Sequence, residues 1–82
     1  MALYFAHIKP FDNNDQDMGF TGSKIGPFYT LWDAIKTAHQ YEVTEFNLFA
    51  QTSYLKTSIW KFENGKRKTV KKWVTYRYSQ RK

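Results

Sequence analysis

The sequence YLKTSIWKFENGKRKTVKKWVTYRYS, residues 54–79, decides the fold. At its centre, Asn64-Gly65 separates two segments rich in β-branched and aromatic residues. Asparagine and glycine both tolerate the positive φ angles of a two-residue type I′ turn, which joins antiparallel strands. The sequence therefore predicts a basic C-terminal β-hairpin with strands at residues 54–63 and 66–79.

The two-residue turn also predicts which strand residues oppose each other and which share a face. It sets Ile59 opposite Val70 and Leu55 opposite Val74, so aliphatic residues gather on a face suited to packing beneath a helix. The other face interleaves aromatic rings with cations. Its predicted members are Tyr54, Lys56, Ser58, Trp60, Phe62, Arg67, Thr69, Lys71, Trp73, Thr75 and Arg77.

Interleaved rings and cations are typical of surfaces that bind single-stranded nucleic acid. Rings stack on bases, which contributes roughly 1 to 3 kcal/mol per base, and lysine and arginine neutralise the phosphates. Further cations next to the turn can contact phosphates when the hairpin meets a nucleic acid. The residues predicted to bind nucleic acid are Lys56, Trp60, Phe62, Lys66, Arg67, Lys68, Lys71, Lys72, Trp73 and Arg77.

Two other interpretations fit the same residues. Lysines on an edge strand discourage aggregation, so the cations alone are compatible with a solvated edge. The rings are also compatible with a second core layer covered by a loop at residues 12–29, because several large rings rarely stay exposed in a monomer. That layer would comprise Tyr54, Trp60, Phe62 and Trp73.

The charge of the chain is divided unevenly along its length. Residues 1–55 contain three lysines and six carboxylates, whereas residues 56–82 contain ten lysines or arginines and the single carboxylate of Glu63. Cations concentrated in one third of a chain repel each other, and a polyanionic partner relieves that repulsion. The distribution favours a partner that is nucleic acid, DNA or RNA, or an acidic protein surface.

Upstream of the hairpin, residues 3–11 mix aromatic residues with an isoleucine and predict a first strand. Residues 12–29 contain glycine and proline breakers and several Asp and Asn, which predict a long loop. Thr30 stands three residues before Asp33, a spacing that caps the start of a helix. Apolar residues at helical spacing extend this predicted helix to about Tyr41.

The predicted fold is a single small α+β domain covering residues 1–82. Alternating apolar and polar residues at 44–51 predict a second strand ahead of the hairpin. The resulting element order is β-α-β-β-β. One helix packed on one face of an antiparallel sheet is the simplest way for such elements to bury a core.

The residues predict a protein that binds a partner and does not catalyse a reaction. The chain has no cysteine, and neither His7 nor His39 belongs to a nucleophile motif, so no catalytic site, metal site or cofactor is expected. The acidic residues after residue 11 do not match a calcium loop, because Met18 and Lys24 stand where that loop needs glycine and glutamate.

The first residues predict neither a signal peptide nor a membrane span. They lack a basic segment, and His7, Lys9 and Pro10 interrupt the apolar run. Without cysteine the chain tolerates a reducing compartment, so an intracellular, cytoplasmic protein that does not bind membranes is expected.

In its shortness, its lack of cysteine and its content of rings, the chain is similar to small phage proteins that bind and block a host machine, including anti-CRISPR proteins. The resemblance implies an inhibitor. The sequence thus predicts a small nucleic-acid-binding protein that uses its hairpin. The alternative is a protein-interaction module that blocks a host protein or nucleoprotein complex, with its rings as interface anchors.

Overall fold

The computed structural model describes residues 2–16, 18 and 23–77, which form four strands and one helix. The sheet has the strand order β2-β1-β3-β4, and every neighbouring pair is antiparallel. The predicted α+β domain, with one helix against one face of an antiparallel sheet, is confirmed. The elements are β1 (Leu3–Phe11), β2 (Ser23–Phe28), α1 (Leu31–Leu48), β3 (Tyr54–Glu63) and β4 (Lys66–Tyr76).

The four strands are not all formed by the segments predicted. β2 lies ahead of the helix, inside the segment 12–29 that was predicted as a loop, so the loop prediction is wrong there. Gly26 and Pro27 read as strand breakers, but β2 is an edge strand, where proline removes no essential ladder hydrogen bond. Gly26 has φ 138° and sits against β1, so that a Cβ atom there would lie 2.9 Å from Phe5 Cδ2.

The helix is longer than predicted, and the predicted strand at residues 44–51 is wrong. α1 begins as expected, because Thr30 Oγ1 accepts a hydrogen bond from the Asp33 backbone N–H at 3.1 Å. It then continues to Leu48 because its buried stripe does not end with the alanines but is extended by Glu42 and Glu45. The prediction counted only apolar residues at helical spacing. It therefore ended the helix too early, because the next two buried positions are carboxylates.

The core is small and lies between α1 and the sheet. Its fully buried apolar side chains are Ala6 and Ile8 from β1, Ala34 and Ala38 from α1, and Leu55 and Ile59 from β3. Two helix alanines let the helix approach the sheet closely, while the larger side chains come from the strands. The core therefore occupies only one face of the sheet.

The hairpin turn is confirmed, but its predicted register holds only near the turn. Asn64 and Gly65 have φ angles of 55° and 76°, and Trp60 pairs with Thr69 as expected. A β-bulge follows, and Ile59 pairs with Lys71 instead of Val70.

Beyond the bulge every β4 side chain points to the face opposite the predicted one. Leu55 faces Thr75, not Val74, and Thr57 faces Trp73. A bulge inserts one extra residue into one strand, and a shift of one residue exchanges the two faces. The predicted pairings of Ile59 with Val70 and of Leu55 with Val74 are therefore wrong.

A buried carboxylate on the helix gives the bulge its physical reason. Glu42 is 2% exposed, and its Oε2 accepts hydrogen bonds from Trp73 Nε1 at 2.8 Å and from the Thr57 hydroxyl. Its Oε1 lies 3.0 Å from His39 Nδ1. Without the bulge the Trp73 indole would lie on the far side of the sheet, and a buried charge would lose one of its donors.

Candidate nucleic-acid interface

The sheet face that points away from α1 is called the open face here. Alternation along each strand, fixed by the pairing register, determines its members. It carries seven rings: Phe5, His7, Phe11, Tyr54, Trp60, Phe62 and Tyr76. It also carries the five cations Lys9, Lys24, Lys56, Arg67 and Lys72, together with Leu3, Ser58, Thr69 and Val74.

Half of the predicted site residues lie together on this face, and half do not. The open face holds Lys56, Trp60, Phe62, Arg67 and Lys72. Lys66, Lys68, Lys71 and Trp73 lie on the helix side of the hairpin, and Arg77, which follows β4, lies on the same side over the Phe46 ring. The predicted single ring-and-cation face is therefore corrected, since Lys71, Trp73 and Arg77 come after the bulge and exchange places with Lys72 and its neighbours.

Trp73 contributes to the fold instead of offering an open platform. Its ring is half-buried against the core, lies 4.9 Å from the His39 ring and donates to Glu42. The prediction that Trp73 shares the open face with Trp60 is wrong. Trp73 therefore does not belong to the second core layer suggested for the rings, because it packs against the core that the helix covers.

Arg77 also has a structural position. Its Nε donates to the Thr52 carbonyl and its second guanidinium nitrogen to the Phe49 carbonyl, both at 2.7 Å. The guanidinium also lies 5.0 Å from the centre of the Phe46 ring. Arg77 thus ties the end of β4 to the segment that connects α1 with β3.

The rings of the open face form two clusters near opposite ends of the sheet. The Trp60 cluster comprises Phe5, His7, Trp60 and Phe62, with the His7 and Trp60 rings stacked at 5.4 Å. The Tyr54 cluster comprises Phe11, Tyr54 and Tyr76, with Phe11 and Tyr54 stacked at 5.1 Å and an interplanar angle of 5°.

Cations lie over the rings of both clusters. The Arg67 guanidinium is 4.3 Å from the centre of the Trp60 ring, and Lys24 Nζ is 5.2 Å from that of Phe5. At the other end, Lys56 Nζ is 4.9 Å from the centre of the Phe11 ring. Each ring cluster therefore comes with cations that can reach a phosphate next to a stacked base.

Between the two clusters runs an open cavity of about 540 Å³ lined by three lysines. Lys9 and Lys56 face each other across β1 and β3, and Lys72 lies next to Ser58 across β3 and β4. We call Lys9, Lys56 and Lys72 the central lysines. His7 and Ser58 complete this part of the wall with groups that can hydrogen-bond an anion.

The open face has a uniform sign of charge. None of its described strand residues is a carboxylate. Among the described residues, Asp15 provides an acidic contact at the margin, where its Oδ1 accepts a hydrogen bond from the Tyr54 hydroxyl at 2.9 Å. Desolvation and this bond to Asp15 raise the pKa of Tyr54, which keeps the phenol neutral.

The hairpin tip is basic on the helix side as well. Lys61, Lys66 and Lys68 surround a smaller cavity of about 270 Å³ with Glu63, whose carboxylate lies 3.4 Å from Lys61 Nζ. This patch carries no ring, so it lacks the stacking element that the open face has. The predicted contacts Lys66 and Lys68 therefore belong to a separate, purely electrostatic surface.

Sequence reasoning missed the contribution of β1. Phe5, His7, Lys9 and Phe11 all lie on the open face, and their spacing of two residues was the available signal. The strand was predicted, but its two faces were not separated, because β1 lies between other strands and only their pairing shows which face is covered. Lys24 was missed because β2 was predicted as loop.

Comparison with known proteins adds no relative: no family model matches the chain, and no curated protein or solved structure is significantly similar to it. In the part of the chain that the structure describes, no three His, Cys, Asp or Glu side chains lie close enough to hold a metal ion. Among the same residues no helix is long and apolar enough to cross a membrane.

Proposed function

We propose that this protein binds single-stranded nucleic acid on the open face of its sheet and does not catalyse a reaction on it. The observation that carries the proposal is the composition of that face, which combines rings with cations and whose described strand residues include no carboxylate. Bases need exposed ring faces to stack on, and phosphates need cations nearby. The open face supplies both within one sheet.

The proposal assigns a simple exchange to each ring cluster. In the free protein Arg67 lies on the Trp60 ring, which satisfies both side chains in the absence of a ligand. A base that stacks on Trp60 replaces the guanidinium, and Arg67 turns to the adjacent phosphate. A paired duplex keeps its base faces stacked internally, so only an unpaired strand can make this exchange.

The test uses two adjacent lysines that lie on opposite faces. Lys72 belongs to the open face and Lys71 to the helix side, and both are exposed. Lys72→Glu and Lys71→Glu carry the same change of charge, so their difference reports the position of the bound strand. Affinity for a fluorescent single-stranded oligonucleotide is measured for both variants and for the native protein across a series of salt concentrations.

The expected result is a steep salt dependence with a clear difference between the variants. If about four phosphates are contacted, the plot of log affinity against log salt has a slope near −3. Lys72→Glu makes that slope shallower by about one unit or more, whereas Lys71→Glu leaves it nearly unchanged. No binding at low salt, or equal losses in the two variants, would contradict the proposal.

The outcome also separates the proposal from a protein-interaction module. Binding to a protein through ring anchors depends weakly on salt, because apolar burial is not screened. If the native protein does not bind oligonucleotides but retains a partner protein in high salt, its function is that of a protein-interaction module.

A further inference from the structure

We infer that the open face is divided into three subsites, in which two bases stack at the ends and the phosphates of a short connecting segment lie on the central lysines. This inference deepens the proposed function and rests on it. It names the ligand as a short unpaired oligonucleotide that spans from the Trp60 cluster to the Tyr54 cluster.

The arrangement of side chains along β3 carries the inference. Tyr54 and Trp60 stand at the two ends of the open face of β3, with Lys56 and Ser58 between them. Neighbouring strands repeat the pattern, since Lys9 lies beside Lys56 and Lys72 beside Ser58. Rings therefore occupy both ends, while the middle is rich in lysine.

The cavity at the Trp60 end of the open face and the central cavity also differ in the side chains that line them. The cavity at the Trp60 end, of about 250 Å³, is lined by Phe5, Trp60 and Phe62 together with Lys24 and Arg67. Three rings and two hydrogen-bond donors suit a base, which has two flat faces and a polar edge. The central cavity is also bordered by His7, Trp73 and Val74, but it brings together the three amines of the central lysines, which suit a phosphate backbone.

The separation of the clusters sets the length of the ligand. Tyr54 and Trp60 are six positions apart along β3, which corresponds to about 20 Å at about 3.3 Å per residue. A strand with stacked bases rises about 3.4 Å per nucleotide, and an extended one about twice that. About three to six nucleotides therefore connect the two ends.

The first experiment measures affinity for oligothymidylates of increasing length. Affinity should rise steeply until the strand reaches both ring clusters and only slowly thereafter. In the shortest oligomer on the plateau, an abasic site is then placed at each position in turn. Loss of a terminal base should lower affinity about 5- to 150-fold, which corresponds to about 1 to 3 kcal/mol per stacked base. Loss of a central base should change affinity less than twofold, because that segment is held through its phosphates.

Ring variants then assign each end. In Trp60→Leu the penalty for the abasic site at one end should disappear, and in Tyr54→Leu the penalty at the other end should disappear. Trp32→Leu is the matched control, because Trp32 is 70% exposed on the helix, and it should leave every penalty unchanged. Circular dichroism confirms that each variant is folded, and Trp60→Phe and Tyr54→Phe replace any variant that is not.

The outcomes separate this inference from the proposed function. Equal penalties at terminal and central positions overturn the three subsites although the protein binds the strand. Polyphosphate that competes as strongly as the oligonucleotide also overturns them, since the rings then contribute nothing. If no oligothymidylate binds at any length, the proposed function itself has failed.

Discussion

Substitution of Trp73 tests whether the β-bulge is present. The bulge in turn determines which β4 side chains lie on the open face. Its indole N–H donates to Glu42 Oε2 at 2.8 Å, on a carboxylate that is 2% exposed. Trp73→Phe keeps an aromatic ring but removes the donor. The loss of a hydrogen bond to a buried charged group costs about 1.5 to 3 kcal/mol, and the void left by the smaller ring adds to it.

This cost is large for so small a domain. An 82-residue protein has a free energy of unfolding of about 4 to 12 kcal/mol, so the variant should remain folded but be clearly weakened. With a urea slope of about 1.5 kcal/mol/M, the unfolding midpoint followed by circular dichroism should fall by about 1 to 2 M.

Trp32→Phe is the control, since that ring is 70% exposed. It should change the free energy of unfolding by less than about 0.5 kcal/mol. If Trp73→Phe is as mild as Trp32→Phe, the indole does not reach Glu42. The pairing would then continue in step beyond Thr69, and Lys71 and Trp73 would return to the open face.

Three further predictions concern other polar groups. Burial raises the pKa of Glu45 above its ordinary 4.5, so the folded protein keeps a proton that the unfolded chain releases, and stability falls as pH rises above that value. Glu45→Gln should therefore raise the urea midpoint at neutral pH and have little effect near pH 4, and a lower midpoint at neutral pH would contradict the assignment. Arg77→Leu removes two bonds to backbone carbonyls and should lower the unfolding midpoint without changing the salt slope of oligonucleotide binding, while Arg67→Leu should do the reverse. Asp15→Asn removes an anion beside the phenol and should lower the pKa of Tyr54 in an absorbance titration, and an unchanged titration would show that the two side chains do not interact.

Local chemistry allowed some of the fold to be predicted. Asn64-Gly65 and Thr30 each act within a few residues, through positive φ angles and a hydroxyl that caps a helix. Those features depend on nothing distant. The turn, the start of the helix and the pairing next to the turn could therefore be predicted from the sequence.

The features that were mispredicted depend on contacts between distant segments. The bulge allows Trp73 on β4 to donate a hydrogen bond to Glu42. Glu42 lies on the part of the helix that the sequence did not predict. β2 forms because its edge position tolerates Pro27. Which face of β1 is buried is known only once α1 is seen to cover one of the two faces. Four of the ten predicted site residues, Lys71, Lys72, Trp73 and Arg77, were therefore assigned to the wrong face, while Trp60, Phe62 and Arg67 were assigned to the correct one.

Identifying the side chains that contact a bound base shows most directly whether nucleic acid binds to the open face. A single-stranded oligonucleotide that carries photoreactive 5-iodouracil is irradiated with the protein, and the cross-linked residues are identified by mass spectrometry. We predict cross-links to rings of the open face, above all Phe5, Trp60 and Tyr54. Cross-links confined to Trp32 or Trp73, on the helix and the helix side of the sheet, would contradict the account.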